Sequence, residues 1–565
     1  MSQATAPSRA TGVDMTHRQI LEALSGLLLG MFVAIISSTV VSNALPRIIT
    51  ELRGGQSAYT WVVTSTLLAT TATIPLWGKL ADLISKKALV QLSLVIYVLG
   101  SVLAGLSQST EWLIGCRVLQ GIGAGGLTAL AQVIMAAMIS PRERGRYSGY
   151  LGAVMAVGTI GGPLIGGVIV DTSWLGWRWC FYVGVPFALA ALVVLQKTLH
   201  LPVVRRAVKI DWWGATLITA AVSLLLIWVS LAGDSYAWMS WQSAAMVVGA
   251  LLLGALAIRV ETRASEPVIP PRLFRNRTVT LATVASIAVG VGMFGASVFL
   301  SQYFQISRGQ SPTMSGLMTL PMILGLLISS TVIGQVITRT GRWKRYLVIG
   351  SALLTVGFAL MGTLRADTDF RLLSCYMALI GVGLGLTMQN LVLAVQNTVG
   401  TRDLGAASSV VAFFRSLGGA IGVSALGAVL GHNVKGHITA GLADLGLPAS
   451  ASGGGALPDV HTLPGPVRAI VENAYGLGAG DVFLFATPFA LIALIAVCFI
   501  REVPLREHNG PTPEEVARES AAAADRQSTT FAGNQRQSTA AAERDRKSPV
   551  TAGPGAALLR PGDRS

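Results

Sequence analysis

The sequence predicts an all-α polytopic membrane protein, and three observations carry that prediction. Of 565 residues, 52% are hydrophobic and only 12% charged, with a mean hydropathy of +0.61; soluble domains run near about 25% charged. Fourteen apolar runs approach the roughly 20 residues that an α-helix needs to cross a bilayer. Lys and Arg collect in alternate loops, twenty of them against six in the opposite short loops. That bias places both termini in the cytoplasm of a cell-membrane protein.

The runs fall near 20–42, 58–77, 88–107, 112–138, 148–170, 179–196, 212–232, 242–258, 278–304, 313–337, 346–364, 372–395, 406–430 and 483–500. The first lacks a small-residue cleavage site and is followed by a second span, so it reads as a retained helix and not a signal peptide. Residues 1–19 then form a cytoplasmic N-terminal segment. Residues 431–482, rich in Gly, Ala and Pro, read as one long outer loop. The tail 501–565 has no apolar periodicity and reads as disordered.

An internal repeat appears at an offset of roughly 256 to 260 residues. PRERGRYSGY (141–150) returns as TRDLGAASSV (401–410), TIGGPLIG (159–166) as SLGGAIGV (416–423), and GKLADLISKK (78–87) as GQVITRTGRWK (334–344). The chain therefore divides into a six-helix half over 20–196, two additional helices and linkers over 197–277, and a second six-helix half over 278–500. Equivalent helices keep the same orientation, because an even number of spans separates them. Such parallel repeats enclose a central path.

Composition excludes several functions. Cys116, Cys180, Cys375 and Cys498 lack paired spacing, and the six histidines are scattered, so no metal site or disulfide framework is expected. GIGAGG (121–126) matches G-x-G-x-x-G formally, but no strand precedes it and it lies inside an apolar span. No Walker A loop is present, and no carboxylate or histidine cluster of the kind a membrane enzyme needs. The net charge of +15 belongs to the loops facing one side, so nucleic acid is not the expected partner.

Three stretches carry chemistry. In GKLADLISKK, Gly78 permits close backbone approach, while Asp82 can accept from a helix N-terminus or an arginine; with Lys86 and Lys87 it reads as a charged latch on the cytoplasmic face. Arg117, in LIGCRVLQGIGAGG (113–126), lies inside a span, where a charge costs a few kcal/mol and should face a partner or a wet cavity; a structural ion pair is the plainer alternative. GTIGGPLIGG (158–167) places Gly158, Gly162, Pro163, Gly166 and Gly167 in one apolar helix. Glycines there let a helix of the other half approach, and the proline frees a carbonyl and bends the helix.

These motifs resemble those of the major facilitator superfamily, specifically its fourteen-helix drug:proton antiporters, the EmrB/QacA-like group, over residues 20 to 500. GKLADLISKK is similar to the loop 2–3 motif, with Ser85 where glycine is usual. LIGCRVLQGIGAG is similar to the helix 4 motif, which would give Arg117 a part in proton coupling. The glycine–proline run is similar to the antiporter motif of helix 5. WRWCFYVGVP (177–186) resembles W-R-W-x-F-x-x-N-x-P with Gly184 in place of asparagine. ISSTVVSNALP (36–46) resembles L-D-x-T-x-V-N-V-A-L-P with Ser37 in the acidic position and Asn43 displaced by one.

The resemblance implies a major facilitator fold and no enzyme activity. It implies a secondary exporter, acting as a monomer by alternating access and needing no cofactor beyond the proton gradient. Its substrates would be drugs or antibiotics; the alternatives are a dedicated exporter of one metabolite, and a receptor or scaffold without transport. A substrate site is expected between the halves near the midplane, with Ser37, Gln335, Gln389, Asn390 and Arg415 as candidates and Gln396 and Asn397 beside them. No Asp or Glu lies near a midplane, whereas Arg117 and Arg415 do, so the expected substrates are neutral or weakly anionic.

Overall fold

The computed structural model describes residues 17–53, 56–172, 175–199, 211–232, 236–400, 403–444 and 464–506. They lie within one compact unit, Met1–Asn509, whereas the second, Gly510–Ser565, falls outside the description together with the tail's expected disorder.

Every named element is helical. The first half comprises α1 (His17–Glu51), α2 (Gln56–Leu83), α3 (Lys86–Gly105), α4 (Thr110–Met138), α5 (Arg144–Asp171), and the pair α6 (Trp179–Tyr182) and α7 (Val185–Thr198). Two further helices follow, α8 (Trp212–Leu231) and α9 (Trp241–Glu261). The second half comprises α10 (Arg277–Gln302), α11 (Pro312–Met318), α12 (Leu320–Thr340), α13 (Lys344–Met361), α14 (Phe370–Thr398), α15 (Leu404–Asp444) and α16 (Gly465–Cys498). Polar caps set many of the starts: Ser85, Ser109, Asp211, Ser240, Asn276 and Asp369 each accept a backbone N–H from the first turn they precede. Gly341, at φ 68°, closes α12 in the left-handed conformation that glycine adopts without strain.

Twelve described helical stretches are long and apolar enough to cross a membrane. The other two long helices, α2 and α5, have 28 residues each; threonines in one and glycines in the other dilute their apolar content. The surface needs an apolar solvent: Leu251 and Leu252 on α9 are 68% and 65% exposed.

Residues 431–482 correct the sequence reading. Of that stretch, 431–444 prolong α15 and 465–482 begin α16. The two extensions belong to helices that pack on each other, Val434, Leu442, Val467, Val471 and Ala474 are buried, and Asn433 Nδ2 donates to Asp481 Oδ2 at 2.9 Å. Alanine and glycine were read as loop composition, but alanine is the best helix former, and a partner helix was there to pack against.

Within the halves, α4 packs on α2 and α3, α14 on α12 and α13, and α1 and α10 on α5 and α15. Across the halves the main seams are α2 against α15 and α5 against α12. The repeat converts α2 into α12 and α5 into α15, so it exchanges the two seams. Helices α8 and α9 pack on each other, and α8 also touches α2 and α15.

Candidate functional site

At the face carrying the basic loops, here the basic face, α2 meets the start of α15. Asp82 Oδ1 accepts from Gly405 N at 2.9 Å and Oδ2 from Ala406 N at 2.8 Å. A carboxylate of one half thus caps the helix N-terminus of the other, where unpaired N–H groups and the helix dipole favour an anion. The backbones touch because both contact residues are glycine: a Cβ on Gly78 would strike Ser409, and one on Gly405 would strike Asp82. Lys86 and Lys79 lie within electrostatic reach of Asp82. Lys87 turns away, donating from Nζ to Gln196 O of α7 at 2.6 Å.

The repeat-related seam lacks this carboxylate. Thr338 stands at the position equivalent to Asp82, and its carbonyl accepts from Arg142 Nε at 3.3 Å. There α5 approaches α12 through Gly149, whose Cβ would strike Thr331, and Gly152, beside Leu326 and Leu327.

Arg144 is the residue that sequence reasoning missed. It was counted as one of three arginines in a basic loop, yet it is 4% exposed and bridges the halves. Its Nη1 donates to Gln396 Oε1 at 2.6 Å, its Nε to Ile139 O at 2.9 Å and its Nη2 to Ala136 O at 2.7 Å. Gln396 in turn donates to Ser408 Oγ at 2.8 Å. One signal was available: Arg144, Tyr147 and Leu151, all buried, follow the i, i+3, i+7 spacing of a single helix face.

Gln132, Met135 and Arg144 of the first half and Gln389, Asn390 and Gln396 of the second line a narrow cleft between α4, α5 and α14. Gln132 Nε2 donates to Gln389 Oε1 at 3.5 Å across it. The space is about 20 Å³, room for about one water molecule. Asn390 donates back to Leu386 O of its own helix at 2.6 Å. Four expected neighbours, Ser37, Gln335, Asn397 and Arg415, do not line the cleft. Gln335 is exposed on α12 and does not line the cleft. Asn397 holds the chain beyond α16, donating to Pro504 O and accepting from Arg506 N, each at 3.0 Å.

Arg117 is 5% exposed. Its Nε donates to Val62 O of α2 at 3.3 Å and its Nη1 to Gln120 Oε1 at 2.9 Å, and Gln120 donates to Ser101 Oγ of α3 at 2.8 Å. Tyr97 stands beside it, near Ser37 and Ser101. No described carboxylate reaches the guanidinium, so the structural ion pair considered from sequence is not made among the described residues. Arg415, half-buried on α15, likewise has no described hydrogen-bond or carboxylate partner.

Two of the departures from the family pattern, Ser37 and Gly184, meet in space. Ser37 is 1% exposed, and its hydroxyl makes no hydrogen bond of acceptable geometry. A Cβ on Gly184 would stand 2.5 Å from Ser37 Oγ. Where the pattern has an acid facing an asparagine, this chain has a serine facing a glycine.

The glycine run of α5 corrects a second expectation. A Cβ on Gly158 would stand 2.8 Å from Ile35 Cγ2, one on Gly162 would strike Thr39, and Thr39 Oγ1 donates to Gly158 O at 3.2 Å. Gly158 and Gly162 therefore receive α1 of their own half, not a helix of the other. The faces of α5 explain this: positions 158, 161 and 162 point to α1, while 149 and 152, nearer the basic end, take the other half. Gly166 is buried in the same helix; Pro163 and Gly167 fall where side-chain surroundings lie outside the described residues.

Comparison with known proteins agrees with this architecture. The family model described as Major Facilitator Superfamily matches residues 27–423. An MFS-type transporter of Mycobacterium tuberculosis is 38% identical over 509 residues, covering 89% of this chain and 73% of that protein. The multidrug transporter protein MdtP of Bacillus subtilis is 35% identical over 432 residues, covering 76% and 79%. Among solved structures, the proton:xylose symporter XylE superposes with a TM-score of 0.56 at 15% identity, over 84% of this chain and 96% of that one, which shows a shared fold. Two repeat-related helical halves joined at exchanged seams, a family match over most of the chain and relatives at this identity together establish that the protein belongs to the major facilitator superfamily.

Proposed function

We propose that this protein exports small organic molecules, driven by proton entry, through alternating access between its two halves. The observation that carries the reading is the seam of α2 and α15, closed by Asp82 on two N–H groups of the opposite half. A contact made of one carboxylate and facing glycines can break and re-form without unpacking either core. The likeness to MdtP, named a multidrug transporter, supports export of drugs over service to a single metabolite. In this reading α2 and α5 are spans, giving fourteen in two six-helix halves with α8 and α9 between. The basic face is cytoplasmic, and the protein acts as a monomer in the cell membrane. An outside-active reporter fused at residue 450 should score, and one at residue 205 should not.

The reading extends to substrate charge. Arg117 and Arg415 are cations inside spans with no described carboxylate beside them, and Ser37 with Gly184 removes the acid and amide of the family pattern. Such a path disfavours a permanent cation, whose desolvation nothing offsets, and suits neutral or weakly anionic compounds. Arg117 then acts on proton coupling by biasing the protonation of groups near it, Tyr97 being the nearest titratable one. Flux in vesicles with and without an imposed pH gradient tests the coupling, and flux independent of the gradient overturns it. Ethidium and a neutral or anionic drug, compared in the same vesicles, test the charge preference. Efficient ethidium export by the unmodified protein overturns that preference, whereas Ser37→Asp should gain cation export.

A further inference from the structure

Asp211 and Glu261 close the basic ends of the two inserted helices. Asp211 caps α8, its Oδ1 accepting from Gly214 N at 2.9 Å. Glu261 ends α9, and its Oε2 accepts from Ile269 N at 3.1 Å, folding the connector 262–276 back on the helix pair. Each carboxyl group has one oxygen so engaged. The other two oxygens, Asp211 Oδ2 and Glu261 Oε1, are sealed from solvent and have no hydrogen-bond partner among the described residues. Both converge on one point beside Gly214, where a methyl group would strike the two together. Glu261 is 3% exposed, so water cannot relieve the arrangement.

Two buried carboxylate oxygens turned toward each other cannot both carry charge at modest cost. The described cation nearby does not resolve it. Lys79 of α2, the cation that faces Glu261, is held at 2.6 Å by Glu266 of the connector, with both side chains buried. A single proton between the two oxygens removes the repulsion and supplies the missing hydrogen bond to both. We propose that Asp211 and Glu261 form a proton-binding site, one proton shared between Oδ2 and Oε1, and that its occupancy controls how firmly the connector 262–276 straps the basic face.

The strap reaches both sides of the α2–α15 seam. Glu266 is paired with Lys79, three residues before Asp82, and Arg272 Nη2 with Asp403 Oδ1 at 2.7 Å, directly ahead of α15. When the proton leaves to water at the basic face, the two carboxylates repel. Glu261 is the mobile member, and its bond to Ile269 N goes with it. The connector loosens, and with it the two ion pairs that reinforce the seam. Filling the site firms the connector and its two ion pairs, and emptying it eases them; Asp82, whose pKa burial raises to about 7, titrates at the seam itself and acts in the opposite sense. The effect on transport rests on the exporter reading; the proton site does not.

Infrared difference spectra of the purified full chain, taken across a pH series, read the proton directly. The unmodified protein should show a protonated-carboxyl carbonyl stretch, lost as pH rises, that is missing from the spectra of both Glu261→Gln and Asp211→Asn, while the contribution of Asp82, whose pKa burial also raises to about 7, stays in all three. Hydrogen exchange over 262–276, corrected for the intrinsic rate, should rise through the same transition in the unmodified protein and stay flat with pH in Glu261→Gln. The two variants are independent, so either alone suffices if the other fails to fold. No band that separates the unmodified protein from a folded variant, or an unchanged exchange profile in Glu261→Gln, overturns the site. A confirmed band with no pH effect on flux would leave the site standing and count against the exporter reading.

Discussion

Replacing Asp82 by asparagine tests the inter-half contact most directly. In the structure its two oxygens take the N–H groups of Gly405 and Ala406 at 2.9 and 2.8 Å. Hydrogen bonds to a charged group are worth about 1.5–3 kcal/mol each, neutral ones about 1 kcal/mol. Asparagine keeps one acceptor, turns an NH₂ group toward the second N–H, and removes the charge that the helix dipole favours, worth about 0.3–1 kcal/mol. Because Asp82 is half-buried, the sum is discounted for solvent, leaving a loss of about 2–3 kcal/mol. The bonds exist only with the seam closed, so at a pH well above 7, where Asp82, its pKa raised by burial to about 7, is ionised, the open state should gain roughly 30- to 150-fold in relative population. Ser409 reports it: this residue is 2% exposed and faces Gly78 across the seam. In a background freed of the four native cysteines, the thiol of Ser409→Cys should alkylate faster by that factor when Asp82→Asn is added, up to the limit set by full opening. An unchanged alkylation rate in a folded protein would refute the claim that Asp82 holds the seam.

Other outcomes follow from the same geometry. Gly162→Ala should cost about 1–3 kcal/mol of stability, as overpacking does, read as a lowered melting temperature. Adding Thr39→Ala should recover much of the loss, since Thr39 is the side chain that the new methyl meets; no recovery would mean that α1 does not press on that glycine. Arg117→Lys keeps the charge but loses the planar fork that reaches both Val62 O and Gln120 Oε1. Gradient-driven flux should fall sharply at near-normal protein level, and Arg117→Ala should abolish it. Asn397→Ala removes bonds to Val503, Pro504 and Arg506; it should lower the melting temperature while leaving flux per folded molecule unchanged.

Much of the architecture was legible because the bilayer constrains sequence strongly. Helices crossing it must be apolar for some 20 residues, so spans are written locally. The repeat was legible as well, since equal helices in equal surroundings keep equal glycines and charges. Asp82 could be read as an acceptor for a helix N-terminus because its loop has few other uses for a short buried acid. Its partners, Gly405 and Ala406, lie more than 320 residues away, and no local pattern names them.

What composition and spacing could not decide is which face of a helix meets which neighbour. A glycine signals close approach without saying by what: Gly158 and Gly162 of α5 read as a seam for the other half, and they receive α1. Arg144 and Arg146 look alike as loop arginines; only the turn of α5 buries the first and exposes the second. Gln335 and Gln389 look alike as polar residues within spans, and rotation about the helix axis puts one on the surface and the other in the cleft. Asp211 and Glu261, fifty residues apart, read as ordinary charges at helix ends until the hairpin of α8 and α9 brings their orphan oxygens together. The sequence by itself determined how often the chain turns apolar, which loops are basic and which residues permit contact. Tertiary structure alone decided the contacts, because they depend on helix rotation and on partners hundreds of residues away, and neither leaves a trace in local composition.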